Sequence, residues 1–326
     1  MFTSENNWYS WQYGNDTPFG LQTGSALFKT HFGRSTKSIG SFGDELKKAA
    51  QSTIDHYSGL KPSILFSGGL DSELVLRSYL DIGVVPNVFI GRYENDINIA
   101  DVSYAITMCI SLDIKYSIID INLRKFYEND AERISEISQI DYPRALPQLS
   151  FLEKIEEGFP ILCTGDPSWH RTHSNYSLPG KWIHLCNEYD IGWSKFARYL
   201  DRPAIGEWFK WTPGIIISHA KLNWFKKLIN DEYPGKLGVK STKIIGYREV
   251  YPNLLTRKKL TGLESLDTLV DEFELLLERK YNGLPFRNTA SHSLQEIWLD
   301  ITGEELQTLP TPTLFSDTRR IIISNS

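Results

Sequence analysis

Paired cysteines are missing from this chain. Its three cysteines (Cys109, Cys163 and Cys186) are widely spaced and form no Cys-x-x-Cys element, which argues against a structural zinc site or a disulfide framework. No apolar run approaches the roughly 20 residues that span a bilayer. The first residues, Met1-Phe2-Thr3-Ser4-Glu5-Asn6, lack the basic and apolar regions of a secretory signal. The expectation is a cytoplasmic protein with no membrane partner. An excess of one charge is lacking as well: 35 basic against 40 acidic residues leave a net charge of −5, so the whole molecule carries no general field for nucleic acid. Repeats and low-complexity segments do not occur. What is present is a globular composition, 41% hydrophobic and 23% charged over 326 residues, ample for one large domain or two with a buried core.

The most informative segment is Ser67-Gly68-Gly69-Leu70-Asp71-Ser72, which follows the apolar run Ile64-Leu65-Phe66 and opens a helix with apolar positions at Val75, Leu76, Tyr79 and Leu80. A strand, a Gly-rich turn and a helix start in that order form a phosphate-binding arrangement. The glycines let the backbone approach an anion and direct N–H groups at it. Ser67 and Ser72 add hydroxyls, and the helix N-terminus adds positive partial charge. Asp71 is unsuited to touch phosphate but suited to a magnesium ion that bridges phosphates. The lysine of the other common phosphate loop, Gly-x-x-x-x-Gly-Lys-Ser/Thr, is absent.

Around this loop, strands and helices alternate. Strand 63–66 leads to helix 72–82, and strand 87–91 leads to a helix near 97–112 with Ala105, Met108, Cys109 and Leu112 as its buried stripe. A strand at Tyr116–Ile121, polar helical sequence over 123–138, a helix near 146–157 and a strand at 159–163 follow. Buried strands separated by helices predict an α/β fold with a doubly wound parallel sheet, its ligands at the carboxyl ends of the strands. Ahead of it, residues 1–42 read as short strands or an ordered arm, and a helix over Asp44–Tyr57 carries Lys47 and Lys48 outward. After residue 188, Trp193, Phe196, Tyr199, Trp208, Phe209, Trp211, Trp224 and Phe225 crowd a helical stretch, which reads as helix packing rather than a stacking platform. A helix over Ser265–Tyr281 turns Leu266, Leu269, Val270, Phe273, Leu276 and Leu277 inward, and residues 308–326 look like an irregular docked tail. The expected division is an arm and helix (1–60), an ATP-binding α/β domain (61–188), a helical substrate or cap region (189–285) and a tail (286–326).

Three further constellations carry chemistry. Thr164-Gly165-Asp166-Pro167 leaves the end of a core strand, where its glycine and carboxylate would face the same crevice as the first loop. Between Lys236 and Lys259 stand seven basic residues and one acidic one, Glu249; such cations suit a reaction that builds charge on a departing phosphate. His170 and His173 suggest a metal pair, but no third ligand stands at diagnostic spacing, and they read as loop histidines. Glu188 and Asp190 carry no assignment.

Ser-Gly-Gly-x-Asp-Ser after a buried strand resembles the pyrophosphate loop of the N-type ATP pyrophosphatases, the PP-loop superfamily with the adenine nucleotide alpha hydrolase-like fold. That resemblance implies cleavage of ATP between its α and β phosphates, adenylation of a substrate oxygen, release of pyrophosphate, and displacement of AMP by a nucleophile. Within the family the chain looks most like the synthetase domain of asparagine synthetase and β-lactam synthetase. Carried over residue by residue, Ser67, Gly68, Gly69, Asp71 and Ser72 hold pyrophosphate and magnesium. Ile90 and Gly91, before Arg92-Tyr93-Glu94, contact adenine; Gly165 and Asp166 border the adenylate, with Asp166 as the second metal ligand; and Lys243, Arg257 and Lys259 stabilise pyrophosphate. The second motif departs from the family where Pro167-Ser168-Trp169 replaces a glycine and an aspartate. The family's glutaminase, with its cysteine at position 2, is expected to have no counterpart here, since Phe2 stands at that position.

The implied cofactors are ATP and Mg2+. The implied partners are a small-molecule carboxylate and ammonia or an amine, with a separate amidotransferase as one nitrogen source. Two other readings stay open: ATP-dependent modification of a nucleobase or nucleic acid through an adenylated carbonyl oxygen, which the acidity of the chain disfavours, and a non-catalytic adenine-nucleotide-binding module.

Overall fold

The computed structural model describes residues 3–4, 6, 9–13, 28–32, 38–140, 143–162, 169–171, 182–186, 188–230, 232–233, 239–257, 267–280, 295–299, 312–314 and 320–323. β1 (Thr3–Ser4), β2 (Tyr9–Tyr13) and β3 (Phe28–Phe32) form a small antiparallel sheet in sequence order. α1 (Phe42–His56) follows, capped by Ser41, whose Oγ accepts from the Asp44 N–H, as a capping serine does for one of the free first-turn donors.

The expected alternation then unfolds as β4 (Pro62–Leu65), α2 (Leu70–Leu80), β5 (Asn87–Tyr93), α3 (Ile99–Ser111), β6 (Tyr116–Ile121), α4 (Leu123–Asn129), α5 (Ala131–Ser138), α6 (Leu146–Lys154) and β7 (Phe159–Leu162). The four strands make a parallel sheet in the order β6-β5-β4-β7. The fold class is α/β. Strand order reverses between β4 and β7, so a crevice opens at their carboxyl ends, where open α/β sheets bind ligands.

Residues alternate across this sheet. Ile64, Val88, Ile90 and Ile161 enter one core with α1, α2 and α3. Leu65, Ile119, Ile121 and Leu162 enter the other with α4, α5 and α6. Helices from later in the chain thicken both layers: α7 (Glu188–Tyr199) and α11 (Asp267–Lys280) join the second core, and α8 (Pro213–Ala220), α9 (Asn223–Ile229) and α10 (Val239–Arg248) join the first. The aromatic residues expected to pack together therefore divide. Trp193 and Phe196 go to one side, and Trp208, Phe209, Trp211, Trp224 and Phe225 go to the other. Tyr199 departs from the expectation and is exposed. Buried polar groups lock α2 in place: Tyr79 Oη lies 2.5 Å from Thr53 Oγ1 and accepts from Trp208 Nε1 at 3.3 Å.

Other expectations need correction. The helical run over 123–138 is two helices meeting at Asp130, whose N–H closes α4 on the Phe126 carbonyl and whose own carbonyl starts α5. In α11, Val270 and Phe273 are buried, but Leu276 is exposed beside Leu275; it lies on the flank of the stripe that Val270 and Phe273 define, outside the contact with Tyr127. Leu266 lies outside the described residues, and Leu269 and Leu277 are placed only by their backbone in α11. The C-terminal stretch contributes strands: β10 (Gln295–Leu299), β11 (Pro312–Leu314) and β12 (Arg320–Ile323) join β8 (Trp169–Arg171) and β9 (Trp182–Cys186) in a five-stranded sheet, order β11-β12-β10-β9-β8. Among the described residues no helix is long and apolar enough to cross a membrane.

Candidate functional site

The loop after β4 begins with Phe66, whose N–H still donates to the Phe89 carbonyl of β5 at 2.7 Å. Sheet pairing ends there, and Ser67-Gly68-Gly69 turns into α2. Gly68 has φ +73°, and a Cβ at this position would lie 2.4 Å from the Asp101 carbonyl oxygen and 2.8 Å from the Ala105 nitrogen of α3. Only glycine suits both the backbone angle and that space. Gly69 is the N-cap of α2 and supplies no side-chain cap. The first intrahelical bond is Glu73 N–H to the Gly69 carbonyl, 3.0 Å, so the N–H groups of Leu70, Asp71 and Ser72 precede the helical ladder, as first-turn donors do. Ser72 Oγ donates to the Gly69 carbonyl at 3.0 Å and lies 3.2 Å from Ser67 Oγ, which accepts from the Gly69 N–H at 3.3 Å. The result is a concave turn lined with donors.

Two residues of α10 close on this turn. Lys243 Nζ lies 2.6 Å from Asp71 Oδ2, and Tyr247 Oη donates to Asp71 Oδ1 at 2.8 Å. Lys243 and Tyr247 are four apart, so they share one face of the helix. Tyr247 is fully buried against Phe42 and His219, which fixes the turn of α10 that carries Lys243. The side chains of Asp71 and Lys243 stay about one-fifth exposed, at 20% and 18%, so the pair remains open to a ligand. α10 is held to α9 by Glu249, whose carboxylate accepts from the N–H groups of Asn223 (3.1 Å) and Trp224 (2.6 Å) at the start of α9.

Behind the turn sits a second polar cluster. The Glu73 side chain is fully buried, and its Oε1 accepts from Arg77 Nε at 2.7 Å. Its Oε2 accepts from Arg257 Nη2, while Arg257 Nη1 donates to the Gly68 carbonyl at 2.7 Å. The Arg257 guanidinium also lies over the Tyr104 ring, 5.7 Å from its centroid. Arg257 reaches this place along a strap after α10. Arg248 donates from Nε and Nη2 to the Leu254 carbonyl (2.9 and 2.7 Å), and Tyr251 Oη donates to Asp81 at the far end of α2 (2.8 Å).

Of the residues singled out in sequence, Ser67, Gly68, Gly69, Asp71, Ser72, Lys243 and Arg257 thus come together. Ile90 and Gly91 sit on the neighbouring strand. Ile90 is buried in the first core, and Gly91 has a packing cause, since a Cβ there would lie 2.3 Å from Phe151 Cζ. The Gly91 carbonyl accepts from Asn98 Nδ2 at 2.9 Å. Gly165, Asp166, Lys259 and His173 lie outside the described residues, and His170 is placed only by its backbone in β8. Among the described residues no group of three or more His, Cys, Asp or Glu side chains gathers as a metal cluster. Glu73, Tyr247 and Tyr104 escaped the sequence reading. A signal existed for Tyr247 in its spacing from Lys243; none existed for the meeting of Glu73 with Arg257.

No family model matches the chain, and no curated protein sequence matches it. Solved structures that resemble it include a predicted subunit of tRNA methyltransferase from Methanocaldococcus jannaschii (15% identity, 68% of this chain and 88% of that one, TM-score 0.31). Another is the NH3-dependent NAD synthetase from Campylobacter jejuni (14%, 67% and 97%, 0.31), and a third is the NMN synthetase from Francisella tularensis (13%, 67% and 97%, 0.31). Likeness at this level says nothing of activity, which has to be argued from the loop and its partners.

Proposed function

We propose that this protein is an ATP-dependent, AMP- and pyrophosphate-forming carbon–nitrogen ligase of the PP-loop type, akin to the synthetase domain of asparagine synthetase. The observation that carries the reading is the donor-lined turn Ser67–Ser72 at the switch between β4 and β7, with Lys243 set against Asp71 at its rim. In this scheme a substrate carboxylate oxygen attacks the α-phosphorus of ATP, the bond to the β-phosphate oxygen breaks, and pyrophosphate leaves. Ammonia or an amine then attacks the acyl carbon, loses a proton, and expels AMP.

The turn holds the β and γ phosphates through the N–H groups of Gly69 to Ser72 and the two serine hydroxyls. Lys243 and Lys259 balance charge as it builds on the leaving group. Ile90 and Gly91 border adenine through their backbone, and Gly165 and Asp166 border the adenylate. A magnesium ion fits Asp71, an accessible carboxylate beside the phosphate turn, because magnesium keeps waters and takes one or two carboxylates plus phosphate oxygens; bound there, it would neutralise bridging phosphate charge. Lys243 would then exchange its bond to Asp71 for one to phosphate. Positioning and charge supply most of the catalysis.

The deciding experiment incubates the protein with α-labelled ATP, magnesium and a pooled cell extract, with and without ammonium, and separates AMP from ADP. AMP that disappears in Asp71→Asn, a variant expected to melt close to the native temperature, supports the ligase. Normal turnover by folded Asp71→Asn, or ADP as the product, overturns it. Tight ATP binding with no AMP from any pool points instead to a nucleotide-binding module.

A further inference from the structure

The Arg257 guanidinium spans two acceptors at once, the Gly68 carbonyl and the fully buried carboxylate of Glu73. We propose that Arg257, oriented by Glu73, is a positioning residue that sets the direction of the anion-binding N–H groups of the turn. The inference rests on the ligase reading for the identity of the anion, but its geometry stands in the ligand-free protein.

A trans peptide points its C=O and N–H in opposite directions. Holding the Gly68 carbonyl on the Arg257 side therefore turns the Gly69 N–H toward the concave side, where it meets Ser67 Oγ at the long distance of 3.3 Å, a bond an anion oxygen can replace. Two successive glycines give this peptide little steric resistance to flipping, so the orientation needs an outside anchor. Arg257 suits the task because its planar fork presents separate donors to two acceptors, which the single ammonium of lysine cannot do in one geometry. Its side chain is 7% exposed, and it is wedged between Tyr104 and the turn, behind the surface that an anion would occupy. Glu73 completes the device, since a carboxylate buried this deeply requires cations; Arg77 on one oxygen leaves the other for Arg257.

The test combines hydrogen exchange of the segment 66–72 in the ligand-free protein with calorimetric titration of inorganic pyrophosphate. Two variants are compared with native protein: Arg257→Lys, which keeps the charge, and the double variant Glu73→Gln/Arg257→Gln, which removes the buried ion pair as a unit and leaves the partly exposed Arg77 to donate to the glutamine oxygen. Lys243→Met serves as the control for simple loss of charge. Both anchor variants are expected to exchange faster at Gly69 and to bind pyrophosphate about tenfold more weakly, ~1.4 kcal/mol, whereas Lys243→Met weakens binding at native exchange rates. Native affinity and native exchange in Arg257→Lys would show that charge alone matters and overturn the proposal. If native protein fails to bind pyrophosphate, the ligase reading falls, and the exchange rates alone then decide whether Arg257 anchors the turn.

Discussion

On one face of the parallel sheet, Ile64, Val88, Ile90 and Ile161 pack under helices from residues 42–56, 70–80, 99–111 and 213–248. On the other, Leu65, Ile119, Ile121 and Leu162 pack under helices between 123 and 199, with α11 against them. Both cores are apolar and deeply buried, but among the described residues only the first carries polar side chains from distant sequence to the turn after β4. Tyr247, fully buried in the first core, fixes Lys243 against Asp71, and the strap behind it delivers Arg257 to Gly68. Opposite them, the ion pairs of the second face tie helix to helix, as Arg133 does with Glu153 and Lys280 with Glu132 and Glu136. A core can thus work as a scaffold for a site or simply as mass beneath it, and the difference lies in which polar groups its helices carry to the strand ends.

The sharpest way to break this comparison is to damage each core separately. Trp224→Ala, in the first core beneath α10, should cost about 4 kcal/mol, and Phe273→Ala, in the second, about 3 kcal/mol, by the usual cost of emptying a buried aromatic site. Urea melts would measure both. Pyrophosphate titration of the folded proteins should then show binding weakened in Trp224→Ala and native in Phe273→Ala; equal loss in both would erase the distinction.

Next in size is a pair of glycines, one in the turn after β4 and one within the adjacent strand β5. Gly68→Ala meets a left-handed backbone angle and the backbone of α3, and should destabilise by about 3 kcal/mol with loss of pyrophosphate binding. Gly91→Ala has only the ring of Phe151 to displace and should cost about 2 kcal/mol with binding retained. Calorimetric melts and titrations on the two variants sharpen the contrast between a glycine that shapes a site and one that makes room for a neighbour.

The smallest effect reads the first core without altering the fold. Burial pushes the Cys109 thiol up to about 11, so at pH 8 the thiolate that reacts with alkylating agents is scarce as well as shielded. In a Cys163→Ser/Cys186→Ser background, Cys109 should resist iodoacetamide until urea unfolds the protein. Labelling at the rate of a free thiol would mean that this face opens readily, which would contradict a rigid scaffold under the site.

Much of this could be read from residue order. Ile64-Leu65-Phe66 and Phe159-Pro160-Ile161-Leu162 announce buried strands because a strand covered on both faces has to be apolar throughout. Ser67-Gly68-Gly69 announces the turn because its backbone demands are local. Gly91 shows the opposite case: its resemblance-based role at adenine is a backbone one, and only packing reveals that its missing Cβ makes room for Phe151, sixty positions away. The aromatic stretch after residue 188 likewise conceals a division between two cores that only packing reveals.

Sequence by itself determined the alternating α/β architecture and the position of the phosphate-binding turn, since periodicity, glycine and capping chemistry act over a few neighbouring residues. Tertiary structure alone decided that Asp71 meets Lys243 and Tyr247, and that Glu73 and Gly68 meet Arg257. Those partners lie more than 170 residues apart, and nothing in local preference specifies which distant cation a carboxylate will face once the helices have packed.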